Sequence, residues 1–348
     1  MGRASEQQIA TAITAWFKNH QRDLPWRKTR DPYAIWISEV MLQQTQVKTV
    51  LPYYLRFLSE LPTVSHLAKA SEESVLRLWA GLGYYSRAKN LRKGAQYLIE
   101  HFGGEFPKTR DELLQIPGIG PYTAGALLSI AFRLREPLVD GNVERVLSRY
   151  FAFKEPLPSS KAHQFFWKKA REWVEASSQP HAFNQGLMEI GSLICTRHSP
   201  SCLQCPLRTN CSAHALGIAE TLPVKKPKAP MENTHLVKFV FIQRGRLWLH
   251  QNPTAQWWSG LWDFPDMRVK NPTHWKRELE AQVGPWNQHT WKELQHQKHT
   301  VTRHKLHVIP IRIETKENPP FPGKWLTLKN IHSKPLSALA QKILHEEW

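Results

Sequence analysis

Apolar positions recur at three- and four-residue spacing from the start of the chain. Ser5 and Gln8 have the form of a capping box, and Ile9, Ile13, Trp16 and Phe17 behind them share one helical face. The same period predicts helices over 34–47, 48–60, 72–79, 84–102, 110–116, 122–134, 142–150, 160–176 and 181–194, with Pro and Gly at the joints. An all-α region over 1–220 follows. The pattern breaks at residues 222–230 (LPVKKPKAP), where Pro and Lys crowd out apolar positions, as in an extended, solvated linker that we bound at 221–232. Beyond it the period shortens to two. Residues 235–243 and 247–251 flank Arg244-Gly245-Arg246 as a hairpin, 300–314 form a strand-rich run with Val308, Ile309, Ile311 and Ile313, and a helix is predicted over 273–283. Residues 233–348 thus read as a smaller α+β domain, with no long repeat in either half.

Composition narrows the class. A chain of 348 residues exceeds the ~250 at which a single core stops growing, which agrees with two domains. Lys and Arg total 47 against 29 acidic residues, a net charge of +18, which favours a polyanion such as nucleic acid as partner. No run of about 18 apolar residues is present to span a bilayer, and the first twenty residues lack the apolar core and cleavage site of an export signal. The chain is therefore expected to be soluble, unexported and without a membrane partner, in the cytoplasm and nucleoid-associated if bacterial. Its four cysteines all fall between Cys195 and Cys211, whereas a secreted disulfide framework would scatter them.

Three constellations carry candidate chemistry. Cys195, Cys202, Cys205 and Cys211, spaced C-x6-C-x2-C-x5-C, place four thiolates within seventeen residues. Only Cys202 and Cys205 form a short C-x2-C hook, so spacing alone leaves zinc and iron–sulfur both open. Thr109 and Glu112 cap a short helix that leads into residues 117–120 (PGIG) and a second helix. Gly118 and Gly120 there let backbone N–H groups approach a phosphate, a sequence-independent grip on DNA. Residues 139–143 (VDGNV) follow, in which Asp140 serves either as a helix cap or as a functional carboxylate, with Asn142 as polar support.

The cysteine spacing after a helix, with the Pro-Gly-x-Gly joint upstream, resembles the endonuclease III-like helix-hairpin-helix DNA glycosylases, whose loop holds a structural 4Fe-4S cluster near the DNA backbone. Within that superfamily, residues 36–46 (WISEVMLQQTQ) resemble most specifically the adenine DNA glycosylases. The resemblance implies an all-α helix-hairpin-helix catalytic region with the cluster as cofactor and Asp140 as the carboxylate that stabilises a developing sugar cation. Glu39 becomes the acid that protonates adenine N7. Its neighbours Ile35, Trp36 and Leu42 lie one turn away, so desolvation should raise its pKa. Bifunctional relatives carry a Schiff-base lysine where this chain has Tyr122, so a monofunctional hydrolytic enzyme is implied. Gln44, Tyr84 and Leu82, the last two in residues 81–89 (GLGYYSRAK), become wedges in the DNA stack, and Trp26, Arg27 and Gln185 line the base pocket.

Residues 231–348 resemble the C-terminal domain of the same family, a Nudix-like (pyrophosphohydrolase-like) fold, most clearly at residues 257–265 (WWSGLWDFP). Ala281 and Gln282 stand where that active pattern needs metal-binding glutamates, which disfavours Mg²⁺-dependent hydrolysis. The family reads oxidised guanine with a Phe-Ser-His loop; aligned through His299 and Pro310, this chain has Val301-Thr302-Arg303, making Thr302 and Arg303 the candidate readers. The implied activity is hydrolytic removal of adenine opposite 8-oxoguanine or guanine in double-stranded DNA, by a monomer. A pyrimidine-excising glycosylase/lyase is disfavoured by Tyr122. A non-catalytic metal-cluster DNA binder leaves Glu39 and Asp140 together unexplained.

Overall fold

A computed structural model describes residues 4–227, 229–251, 257–270, 273–283 and 290–348; Lys228 in the linker lies outside them. Its contacts define two compact units, Met1–Lys69 with Asn90–Pro227, and Ala70–Lys89 with Lys228–Trp348. Ala70–Lys89, whose helical pattern is like that of its neighbours, groups with the second unit although it lies within 1–220 along the sequence.

The first unit is helical. It contains α1 (Glu6–His20), α2 (Pro32–Leu42), α3 (Val47–Glu60) and α4 (Val64–Lys69), the last too short to show a period. The chain returns to this unit within α6 (Ser86–Phe102), which follows α5 (Glu72–Trp79) of the second unit. Then come α7 (Arg110–Gln115), α8 (Pro121–Ala126), α9 (Gly141–Tyr150), α10 (Ser160–Glu175), α11 (Pro180–Leu193) and α12 (Ser212–Ala215). Local capping explains many of the starts. Ser5 and Gln8 make both bonds of the capping box, Thr109 accepts from the Glu112 N–H, and Asp140 caps α9 through the N–H groups of Asn142 and Val143. Two predicted helices differ. The helix read over 34–47 stops at Leu42, and Gln44 turns into left-handed backbone with φ 56°. The one read over 122–134 becomes a π turn at Leu127–Ala131.

The second unit has a mixed sheet. β1 (Glu232–Gln243) and β2 (Arg246–Gln251) form the predicted hairpin, with Arg244 and Gly245 both at positive φ as a two-residue turn of this hand requires. The run read over 300–314 is itself folded. After β3 (Trp262–Asp263), β4 (Asp266–Val269), α13 (Trp275–Val283) and β5 (Thr290–Glu293), β6 (Gln297–Val301) turns at Thr302-Arg303 into β7 (His304–Glu314). β7 lies parallel to β1, a pairing between distant segments that period-two patterning cannot reveal. Side chains alternate across these two strands. Val237, Phe239 and Phe241 join Ile309, Ile311 and Ile313 in a cluster with Trp275 of α13. Val240, on the opposite face, packs in a second cluster with Ile331 of α14 (Leu328–His332) and Ile343 of α15 (Ala338–Glu347). The side chains of Ala281 and Gln282 lie outside the described residues, so the reading of a lost Mg²⁺ site rests on sequence.

Candidate active site

Glu39 owes its environment to a helix that has almost no solvent side. Asp31 caps α2 through the N–H groups of Tyr33 and Ala34, Pro32 opens it, and nine of its eleven residues are buried. Glu39 is one of them, 6% exposed. Burial, reinforced by the charge of Asp140, pushes its carboxyl up to about 7; a hydrogen bond from Tyr122 and the charge of Arg27 act in the opposite direction. The Tyr122 hydroxyl donates to Glu39 Oε2, which leaves Oε1 to carry a proton. Burial and the nearby carboxylates keep that phenol protonated, and its oxygen also lies 3.3 Å from Met188 Sδ.

Asp140 is held from its own helix. Its Oδ1 accepts from the Asn142 and Val143 N–H groups at 3.0 and 2.8 Å, and its Oδ2 from Asn142 Nδ2 at 2.8 Å. Burial raises its pKa despite these donors. Asn142 continues the chain of bonds: its Oδ1 accepts from Arg145, whose Nε donates to the Cys195 carbonyl at 2.7 Å. Close helix approach makes this possible, since a Cβ on Gly191 of α11 would stand 2.7 Å from Asn142 Cβ. The structure therefore brings Glu39, Tyr122, Asp140 and Asn142 into one cluster.

Beside it lies a charged group that sequence reading missed. Glu189 on α11 accepts from Arg22 Nε and Nη2 at 2.8 and 2.7 Å, and from Arg27 Nη1 and Nη2 at 3.0 and 2.7 Å. Burial opposes its charge, yet the two guanidinium groups outweigh it and hold the carboxyl down at about 2. The signal was present in sequence as a carboxylate between Leu187, Met188 and Ile190, an apolar stretch that tolerates a charge only when it is paired. Trp26 is buried edge-on against Tyr54, and half-buried Gln185 donates to the His181 carbonyl of its own helix.

Gln44 and Tyr84 are exposed and stand at left-handed backbone, φ 56° and 48°, which for residues other than Gly costs on the order of 1 kcal/mol each. Leu82 is buried, so a wedge role requires its side chain to move out. Thr302 is exposed at the β6–β7 turn with φ 53°, its hydroxyl donating to the Val301 carbonyl, while Arg303 pairs with Glu232 at 3.0 Å.

The hairpin joint is formed as the glycines suggest. Gly118 has φ +85° and a Cβ there would stand 2.9 Å from Asn90 Cβ; Gly120, the N-cap of α8, has nothing within 4 Å of that position and leaves its backbone open. All four cysteines line one pocket with Arg149 and Arg208. Arg149 is fully buried, donating to Cys195 Sγ at 3.3 Å and to the carbonyls of Thr196, Arg197 and Leu222. Among the described residues no three His, Cys, Asp or Glu side chains stand in single-ion geometry.

Residues 37–172 match the family model of the HhH-GPD superfamily base excision DNA repair proteins, and residues 237–346 match a NUDIX domain. The adenine DNA glycosylase of Buchnera aphidicola subsp. Schizaphis graminum (strain Sg) is 35% identical over 339 residues, spanning 95% of this chain and 96% of that protein. The adenine DNA glycosylase of Homo sapiens is 33% identical over 397 residues, spanning 95% of this chain and 72% of that protein. Among solved structures, a thermostable thymine-DNA glycosylase has a TM-score of 0.55 at 29% identity over 61% of this chain and 97% of its own. A non-covalent endonuclease III–DNA complex has a TM-score of 0.52 at 25% identity over 62% of this chain and 99% of that one.

Proposed function

We propose, from the premise that this chain belongs to the adenine DNA glycosylase family, that it hydrolyses the N-glycosidic bond of adenine lying opposite 8-oxoguanine or guanine in duplex DNA. The observation that carries the reading is a buried carboxyl at Glu39 with a pKa of about 7, bonded to Tyr122 and close enough to Asp140 for their charges to interact. Glu39 delivers its proton to adenine N7 as the bond from N9 to the sugar breaks, so the base leaves neutral. Asp140, anchored by the start of α9, offers negative charge to the sugar cation. Water then adds to the sugar, giving its proton back to Glu39. Tyr122 has no amine, so no imine forms. Trp26 and Arg27, the latter held by Glu189 with Arg22, flank the base, with Gln185 on the same helix as Glu189. Gln44, Leu82 and Tyr84 support the opened duplex, Gly118 and Gly120 grip its backbone, and Thr302 and Arg303 face the opposite base.

The test is a single-turnover assay on duplexes pairing adenine with 8-oxoguanine, guanine or thymine. Adenine release from the first two, with no strand cut and no borohydride-trappable adduct, is the expected result. Excision of a pyrimidine, or efficient trapping, would assign the chain to the lyase branch instead.

The four-cysteine pocket fits a 4Fe-4S cluster in its donor set, with Arg149 and Arg208 placing positive charge beside the thiolates. Bound there through Cys195, Cys202, Cys205 and Cys211, the cluster would cross-link the loop. Protein purified anaerobically is expected to be brown with about four irons per chain. A colourless protein holding stoichiometric zinc would overturn this assignment.

A further inference from the structure

The two motifs that stand out most in this chain beside the active-site helix, residues 81–89 and 257–265, are separated by nearly half its length yet fold together. Ala70–Lys89 belongs to the same compact unit as Lys228–Trp348. At one end of this segment, Glu73 Oε1 accepts from Trp262 Nε1 at 3.1 Å and from Lys334 Nζ at 2.8 Å. These donors hold the Glu73 carboxyl below its ordinary value, partial burial acting against them. Lys324 and Lys334 both lie over the Trp262 ring, at 4.7 and 5.5 Å from its centroid. At the other end, Lys89 Nζ is 3.2 Å from Ser259 Oγ and 3.2 Å from Glu72. Gly260 makes the space: at φ +81°, a Cβ on it would stand 2.7 Å from Lys89 Nζ.

Between these two anchors the turn is stiffened from within. Trp79 Nε1 donates to the Gly83 carbonyl at 3.0 Å, and Arg87 Nη2 donates to the carbonyls of Leu82 and Gly83, each at 3.2 Å. The turn therefore carries Tyr84 to wherever its anchors stand.

We propose that Glu73 and Lys89 are positioning residues that tie the Tyr84 turn to the C-terminal part of the chain, so that wedge insertion and the reading of the base opposite adenine are mechanically coupled. This rests on the proposed wedge role of Tyr84 and lesion-reading role of Thr302. Coupling arises because Trp262 of β3, the partner of Glu73, and Thr302 at the β6–β7 turn belong to one hydrogen-bonded sheet, so engagement of the opposite base by Thr302 biases where Tyr84 enters the stack. The anchors are partly exposed, so each alone is weak; the pair at both ends of a stiff turn is what restrains it.

The full-length protein tests this with single-turnover excision on duplexes pairing adenine with 8-oxoguanine or guanine, and with 2-aminopurine fluorescence beside the lesion as a report of stacking. Glu73→Leu and Lys89→Met are each expected to reduce the preference for 8-oxoguanine by roughly two- to fivefold, the scale of one partly exposed ion pair. Both should alter the fluorescence, while the limiting rate at saturating protein changes by less than about twofold. Glu73→Gln, which still accepts from Trp262 and Lys334, should keep most of the preference, a rescue that loss of packing alone does not give. Lys89→Met serves independently if Glu73→Leu fails to fold. If Tyr84→Ala impairs excision but Lys89→Met leaves preference and fluorescence as in the wild type, the tether is overturned and the wedge stands. If Tyr84→Ala changes neither, the wedge reading fails and the tether falls with it.

Discussion

Glu39→Gln is expected to lower the single-turnover excision rate by about 10³- to 10⁴-fold while duplex affinity stays within a few fold of wild type. The amide nearly matches the carboxyl in shape and still accepts from Tyr122, but it cannot deliver a proton, and general acid catalysis is worth roughly 10²–10⁴ in rate. The pH profile gives a second signature. Glu39 is buried enough to stay protonated up to about pH 7. The wild-type rate should therefore fall about tenfold per unit above that pH, and the residual rate of the variant should not share this inflection. Wild-type stability should also fall as pH rises. A carboxyl whose folded pKa is raised from 4.5 to about 7 contributes fully at low pH and loses that contribution as pH rises through about 7. The amide has no such loss, so the difference in Tm between variant and wild type should shift in favour of the variant from pH 5 to pH 8. Quenched-flow excision and calorimetry at the two pH values check both halves. Near wild-type excision by Glu39→Gln would remove Glu39 from the acid role.

Asp140→Asn should reduce excision by about 10²- to 10³-fold, the range measured when one preorganised electrostatic contact to a transition state is removed. The choice of Asn matters because Asp140 has two tasks. It caps α9 through the Asn142 and Val143 N–H groups, and it places negative charge in the site. Asn is among the best capping residues, so the substitution keeps the first task and removes the second. Asp140→Ala removes both and should add about 1 kcal/mol of destabilisation to the same catalytic loss. Thermal melts beside excision rates separate the two effects. If Asp140→Asn melts and excises like the wild type, Asp140 is a cap and nothing more.

The expected rise in the Glu39 pKa illustrates how far local reading reaches. Ile35, Trp36 and Leu42 signalled desolvation correctly in direction, since they lie within one helical turn. Arg27 and Tyr122, which act on the same carboxyl in the opposite sense, come from elsewhere in the chain, Tyr122 from 83 positions away, and nothing in the local pattern announces them. Arg22 was passed over for the same reason, its partner Glu189 being 167 positions away. Leu82 shows the converse: a motif proposed a role for it, but only packing reveals that the side chain is buried.

By itself the sequence determined what depends on neighbours a few residues apart. The caps at Ser5, Thr109 and Asp140, the hairpin turn at Arg244-Gly245, the glycine joint at Gly118 and the gathering of four cysteines within seventeen residues are all of this kind. Each is decided by short-range sterics or by hydrogen bonds that close within a turn or two of chain. Only the tertiary structure decided the parallel pairing of β1 with β7, the meeting of Glu39 with Tyr122, the double clamp on Glu189, and the capture of Ala70–Lys89 by the second unit. These depend on which distant surfaces exclude water from one another. Charges and dielectric in a site are set by that exclusion, and it is a property of the packed chain rather than of any stretch of it.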